Sequence, residues 1–426
     1  MPQTRRVRET RNRSPSAGIF STSLENFSIE TCPPQADLIE FIGMVTIEEL
    51  LSRGVEKIYP DREALEKILK QRKIRLYLGI DPTGSRLHLG HAILLRKLQK
   101  FAELGHEAIL LIGTGTVLVG DPSQRSGARE QIDEGEIQRN IATWRKQAEK
   151  ILDFSKVQIK QNGDWLLKLT MKDLISIASH ISAVQLFKRD IFQERLNRGD
   201  TVWDHETFYP LLQGYDSVAM DVDLEIGGTD QTFNMLIGRE LMQKMRGKEK
   251  YVLTVPMILG TDGKPMSKTS GNCVWLKDEP SEMYGKLMSI PDEQIDSYLE
   301  LATDIPQVEL DSAKKLAPLD KKRLLALTVV KMYHGEEKAQ QVQKEFKNVF
   351  SKGGIPEGAP VWKIAGQKVD LISLLAEKGI TSSKSEARRL LEQGGVSLNE
   401  KKLAKPEVTL ENGVLKIGKK TFIKIE

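Results

Sequence analysis

From about Arg75 onward, short apolar runs alternate with stretches of helical length, and this alternation restricts the fold more than any other feature of the chain. RLYLGI (75–80) reads as a buried strand, AILLRKLQKFAELG (92–105) as the helix that follows, and EAILLIGTGT (107–116) as the next strand. Parallel neighbours need a crossover of helix length, so the pattern predicts a Rossmann-like, doubly wound parallel sheet, an α/β fold. A further strand is expected in KYVLTVPMIL (250–259), while residues from Ile137 to about Arg198 read as helix-rich. From Ser281 to about Phe350 the pattern is helical throughout, and KKRLLALTVVKMYHG stops at Gly335 as a helix should.

At 426 residues the chain exceeds one ordinary core. SKGGIPEGAP (351–360) is punctuated by Gly and Pro and reads as a linker. The expected division is an extension (1–43), an α/β domain (44–280), an all-helical domain (281–350), a linker (351–361) and a small α+β domain (362–426). The extension opens with Arg5, Arg6, Arg8, Arg11 and Arg13 and has no periodicity. Three readings stay open: a disordered tail, an Arg- and Ser-bearing targeting segment, or translation that truly starts at Met44, where VTIEELLSRGVEKIYP begins an amphipathic helix.

Cys32 and Cys273 are the two cysteines, too few for a disulfide framework or a cysteine zinc site, and a reducing, cytoplasmic setting fits. No apolar run reaches the roughly 20 residues of a membrane-spanning helix. The net charge of +4 is unevenly shared: Trp362–Glu426 holds thirteen Lys or Arg against eight Asp or Glu, a net +5, which leaves −1 elsewhere. A polyanion is a natural partner for such a segment, and a solvated Lys-rich tail is the plain alternative.

Four segments carry chemistry. In DPTGSRLHLGH (81–91) a strand ends near Gly79, a Pro and Gly turn follows, and His88-Leu89-Gly90-His91 opens a helix. Ligands collect at the carboxyl ends of parallel strands, and helix N-termini attract phosphate through free N–H groups. Gly90 lets a nucleotide approach the backbone. In YPLLQGYD, Tyr209, Gln213 and Asp216 stand at offsets 0, 4 and 7, which places them on one helical face. A polar stripe on a largely apolar helix lines a polar pocket more naturally than it faces water. Asp121 in GDPSQRSGAR (120–129) is either a helix or turn cap or, at the end of a buried strand, a carboxylate for an ammonium group. GGTDQTFN (227–234) is a Gly-rich turn ahead of a helix capped by Asp230.

His88–His91 resembles the first signature of class I aminoacyl-tRNA synthetases. GKPMSKTSG (263–271), about 175 residues on, resembles their second, a Lys-bearing loop that stabilises pyrophosphate charge. Pro265 stands where the family has its first motif lysine, with Lys264 one place upstream, so Lys268 is the firmer match. Tyr77, GDPSQRSGAR, YPLLQGYD and GGTDQTFN resemble the tyrosine-binding elements of tyrosyl-tRNA synthetases, nearer the second bacterial branch. The resemblance runs from about Met44 to the C-terminus. It implies that Tyr77 and Asp216 meet a phenol, that Asp121, Tyr209 and Gln213 hold an ammonium group, and that Gln231 meets a carboxylate. It also implies that His88, His91, Thr83 and Lys268 are catalytic, with Arg125, Arg129 and, as a substitute for the missing motif lysine, Lys264, and that Gly79, Asp81, Gly90, Gly228, Asp230, Met266 and Ser267 belong to the ATP site with His88, His91 and Lys268. ATP enters as a substrate with Mg²⁺, no metal site is built by the protein itself, and the expected partners are L-tyrosine, tRNA(Tyr) and a second copy of the chain.

Residues 369–403 resemble an S4 RNA-binding domain: a helix ends at Gly379, Ser382 or Ser383 caps the next, and Lys384, Arg388 and Arg389 lie along it. RNA duplexes are bound largely through phosphates, 2′-hydroxyls and shape, which suits such a face. Three rivals remain: a tryptophan-specific synthetase, a catalytically silent RNA-binding paralogue, and a nucleotidyltransferase sharing the His-x-Gly-His motif.

Overall fold

The computed structural model describes residues 45–123, 133–266, 270–351, 360–381, 383–399, 401–418 and 421–426. The N-terminal extension and most of the expected linker lie outside the described residues. Six strands form the main sheet: β1 (Lys57–Tyr59), β2 (Arg75–Ile80), β3 (Glu107–Ile112), β4 (Val157–Gln161), β5 (Leu224–Gly228) and β6 (Tyr251–Val255). Their order is β1-β6-β5-β2-β3-β4. β2 to β6 are parallel, and β1 pairs antiparallel with β6 along one edge. From β2 the chain winds outward through β3 and β4, then returns to the other side of β2 through β5 and β6. Strand order therefore reverses between β2 and β5, where Leu76 faces Leu224 and Leu78 faces Ile226. Loops leaving the carboxyl ends of these two strands diverge and open a crevice.

The sheet is covered by α1 (Ile47–Ser52), α2 (Arg62–Gln71), α3 (Leu89–Glu103), α4 (Thr116–Val119), α5 (Glu134–Ala148), α6 (Gly163–Leu166), α7 (Asp204–Met220) and α8 (Thr232–Arg246). α3 buries Leu89, Ala92, Leu95, Leu98 and Phe101, a stripe at helical spacing. Truncating one such leucine to alanine costs about 2–5 kcal/mol. α7 and α8 approach through glycines: a Cβ on Gly214 would lie 3.1 Å from the backbone of Gly238.

Beyond the sheet lie α9 (Pro280–Met288), α10 (Ile295–Ala302), α11 (Pro318–His334) and α12 (Glu336–Ser351). α11 starts on Pro318 and stops at Gly335, whose φ of 89° favours glycine. Leu325, Val329 and Tyr333 of α11 join the same buried cluster as the sheet residues Leu76 and Leu253. A second cluster, with Leu371, Leu391, Val396, Leu415 and Ile423, belongs to the C-terminal segment. There α13 (Leu371–Glu377) and α14 (Lys384–Glu392) accompany β7 (Val361–Trp362), β8 (Lys368–Asp370), β9 (Val396–Leu398), β10 (Lys401–Lys402), β11 (Glu407–Thr409), β12 (Gly413–Ile417) and β13 (Thr421–Ile425). Ser383 is the cap of α14, accepting from the Glu386 N–H at 3.2 Å.

The observed elements depart from the sequence reading at four places. The stretch from Ile137 to Arg198 contains β4, an edge strand with two exposed side chains in five and so no apolar run to betray it. β3 ends at Ile112, and Thr116 already opens α4, so Asp121 follows a helical turn rather than a strand. The helix begun at Ile47 stops at Ser52, and KIY becomes β1. Asp230 sits inside a 3₁₀ turn, with Gln231 as the residue that caps α8.

Candidate active site

Asp81 follows β2 directly and joins two neighbouring elements. Thr116, on α4, donates its hydroxyl to Oδ1 at 2.7 Å, and Tyr209, on α7, donates its phenol to Oδ2 at 3.0 Å. Gly113 makes this possible, since a Cβ there would stand 1.9 Å from Oδ1. The Thr83 N–H closes the Pro82 turn on the Asp81 carbonyl at 2.8 Å. Gly79 is the exposed residue of β2. Burial, then the nearby carboxylates of Asp81 and Asp121, hold the Tyr209 phenol well above its ordinary range and therefore neutral.

His88 caps α3, and His91 accepts the His88 backbone N–H on Nδ1 at 3.2 Å, with ring centroids 3.9 Å apart. Trp275 meets the His88 ring edge-on, and Arg86 stacks on Trp275 at 4.4 Å. A Cβ on Gly90 would come within 3.0 Å of the His88 imidazole and 3.8 Å of Met266 Sδ. The two signatures therefore meet at Gly90. Backbone pairing joins them as well: Leu89 N–H donates to Val274 O at 3.0 Å, and Leu276 N–H donates to Leu87 O at 2.9 Å. Lys264 is exposed in a turn closed by Gly260 N–H on the Lys264 carbonyl at 2.6 Å. Ser267, Lys268, Arg125 and Arg129 lie outside the described residues.

Tyr209, Gln213 and Asp216 share α7, and Tyr209 and Asp216 are buried. Trp165 donates its indole N–H to Asp216 Oδ1 at 2.8 Å, and Asn162 Nδ2 donates to Oδ2 at 3.0 Å. Burial raises the Asp216 carboxyl well above the usual carboxylate range, opposed by those two donors. Tyr77, on β2, is fully buried and shares a 2.9 Å hydrogen bond with Ser217, next to Asp216 in the chain. Its phenol is also pushed well up, by burial first and then by Glu225 and Asp216. Gln213 donates Nε2 to Glu225 Oε1 at 3.0 Å, and Glu225 is ion-paired with Lys250.

Asp121, Asp230 and Gln231 converge at the end of β5. Gln231 Nε2 donates to Asp121 Oδ2 at 2.7 Å and to Asp230 Oδ2 at 2.9 Å, while Asn234 donates to Gln231 Oε1 at 2.9 Å. A Cβ on Gly228 would meet Asp230 Oδ1 at 2.5 Å. The buried Arg189 lies 3.9 Å from Asp121. Tyr209 thus engages Asp81 rather than Asp121, and Gln213 engages Glu225. The sequence reading missed Thr116, Asn162, Trp165, Arg189, Ser217, Glu225 and Lys250. Glu225 and Lys250 left a signal, because charges within the apolar runs LEIGG and KYVLTV need buried partners.

The carboxylates suit a cationic group, and the helix N-terminus bearing the two imidazoles suits phosphate. On α14, Lys384, Arg388 and Arg389 are all exposed, and Lys384 Nζ donates to Ser373 Oγ at 2.9 Å.

Comparison with known proteins identifies the family. Residues 69–351 match the family model of class I tRNA synthetases (W and Y), and residues 351–425 match a tyrosine–tRNA ligase SYY-like C-terminal domain. The tyrosine–tRNA ligase of Thermotoga maritima is 42% identical over 387 residues, covering 88% of this chain and 96% of that one. Tyrosine–tRNA ligase 2 of Vibrio cholerae is 39% identical over 393 residues, covering 90% and 99%. A truncated mitochondrial tyrosyl-tRNA synthetase from Aspergillus nidulans shares the fold, with a TM-score of 0.61 at 22% identity over 74% of this chain and 97% of that one. The tyrosine-bound enzyme of Archaeoglobus fulgidus does so at 0.55 and 20%, over 69% and 98%. A crevice built where strand order reverses, a family match over most of the chain, and relatives near 40% identity along almost its full length lead to one assignment: the chain belongs to the class I tRNA synthetases, among the tyrosine–tRNA ligases.

Proposed function

We propose that the crevice between β2 and β5 is where this tyrosine–tRNA ligase activates L-tyrosine with ATP before passing it to the 3′-terminal adenosine of tRNA(Tyr). The observation that carries the reading is Asp216: a buried carboxylate on the same helix face as Tyr209, beside the buried Tyr77–Ser217 pair. In this reading Tyr77 and Asp216 meet the phenol of the substrate. Asp121, Tyr209 and Gln213 hold the ammonium group, and Gln231 meets the carboxylate. The substrate carboxylate attacks the α-phosphate in line and pyrophosphate leaves. The adenylate carbonyl is then attacked by a terminal hydroxyl of the tRNA. No protein nucleophile takes part, so positioning and charge stabilisation supply the rate.

His88 and His91 donate to phosphate oxygens from the start of α3, while Gly79, Asp81, Thr83, Gly90, Gly228, Asp230 and Met266 shape the nucleotide side. Lys268 balances charge on the departing pyrophosphate together with Ser267, Lys264, Arg125 and Arg129. Magnesium travels on the triphosphate and neutralises its oxygens. Lys384, Arg388 and Arg389 contact tRNA backbone. The active form is a homodimer, supported by the exposed apolar side chains of Leu167, Met171, Ile175 and Val184, which are 62–72% accessible.

ATP–pyrophosphate exchange with single amino acids tests the proposal. Tyrosine supports exchange, and phenylalanine is rejected by about 10⁴–10⁵, the range for sites that hydrogen-bond a substrate hydroxyl, for which a tyrosine-specific synthetase is the standard example. Exchange driven by tryptophan instead overturns the assignment of the pocket.

A further inference from the structure

Beneath Gln213, with the Lys250 ammonium 5.8 Å from the centre of the Tyr77 ring, lies a buried pair of charges. Lys250 is fully buried and Glu225 is 2% exposed. Lys250 Nζ bonds Glu225 Oε2 and the Met235 carbonyl, the latter at 3.2 Å. Room for the ammonium group exists because residue 238 is glycine: a Cβ there would stand 2.5 Å from Nζ. Such a pair is costly to desolvate, and replacing it by apolar residues of similar size is often neutral or stabilising. Stability is a weak reason to have it here, so its other contact matters.

That contact is the amide of Gln213. The ion-paired carboxylate of Glu225 only accepts hydrogen bonds, so Gln213 must turn its NH₂ toward Oε1, which it meets at 3.0 Å. The amide carbonyl oxygen is then committed to the opposite direction, and this atom is buried without a hydrogen-bond partner among the described residues. An orphaned buried acceptor requires a donor. Resting on the reading of Gln213 as an ammonium-binding residue, we infer that Glu225 and Lys250 are positioning residues, which lock the Gln213 amide in the orientation that accepts from the substrate ammonium group. Without a charged acceptor below it, the amide could turn over and present a donor to a cation.

Two probes separate the roles. Tyramine keeps the ammonium group and lacks the carboxylate; 3-(4-hydroxyphenyl)propionate keeps the carboxylate and lacks the ammonium group. Their inhibition constants against tyrosine in pyrophosphate exchange are measured for wild type, E225Q and the charge-neutral pair E225Q/K250M. The expected result is a loss for tyramine of about 10-fold or more, the size of a hydrogen bond to a charged group, with the deaminated probe changed less than about 2-fold. KM for tyrosine rises in parallel while kcat moves little. Equal losses for both probes, or no loss for either, overturn the positioning role. Failure of both variants to fold also overturns it, because the pair would then be a folding element. If wild type shows no tyrosine-dependent exchange, the functional reading has failed instead.

Discussion

Trp165 reaches across from α6 to give its indole hydrogen to Asp216 at 2.8 Å, while the Asn162 amide N–H donates to the other carboxylate oxygen at 3.0 Å. The two donors leave each oxygen with further accepting capacity and fix its direction. Trp165→Phe keeps the aromatic bulk and removes one hydrogen bond to a buried carboxyl oxygen, a loss of about 1–3 kcal/mol. KM for tyrosine in exchange should rise roughly 10- to 100-fold on that basis, with KM for ATP little changed.

Gly113→Ala tests the hub at Asp81. The new methyl would sit 1.9 Å from Oδ1 and 2.5 Å from Thr116 Oγ1, so the carboxylate must move. Thermal melting should show a loss of about 1–3 kcal/mol from overpacking. Single-turnover adenylate formation should slow by more than the melting loss alone explains, because Tyr209 loses its partner. Unaltered activation would remove Asp81 from the site.

Acid sensitivity has a local source in His106. The ring is buried, accepts the Ile74 N–H on Nδ1 at 3.3 Å, and its pKa is lowered to about 4, by burial first and the Lys73 charge second. In the unfolded chain the group titrates near 6.5. Between these values the unfolded state binds the extra proton, so this contribution to stability is present above pH 6.5 and is lost as the pH falls toward 4. Denaturant melts of His106→Gln should show a flatter stability profile across that window than wild type. Parallel profiles would contradict the assignment.

The basic face of α14 is separable from activation. Replacing Lys384, Arg388 and Arg389 together by Ala should leave pyrophosphate exchange unchanged. It should raise KM for tRNA and lower the magnitude of the salt slope of tRNA binding by roughly 2–3, about one unit per phosphate contact. A salt slope that does not move would place RNA elsewhere.

Local pattern made β2, α3 and α11 legible, because each is an unbroken apolar run or stripe with a clear stop. β4 was hidden by its place at the sheet edge, where Gln158 and Ile159 are exposed and alternation has nothing to repeat. Within the site, the two signatures and the Tyr209–Asp216 face could be read because their members stand close in the chain. Trp165, Asn162 and Thr116 could not: they reach Asp216 and Asp81 from 35–54 positions away, and pairing of that kind is created by the sheet crossover. The fate of Tyr209 followed the same logic. Its hydroxyl had two carboxylates to choose from, and only the folded path of the chain after β3 decides for Asp81 over Asp121.

The rungs between Leu87–Leu89 and Val274–Leu276 mean that the imidazole pair and the downstream leg of the lysine loop hang from one short piece of ladder. If a nucleotide binds there as proposed, a displacement of either motif would be passed to the other through these two bonds. A change at Val274 would then be expected to alter triphosphate affinity and imidazole alignment together.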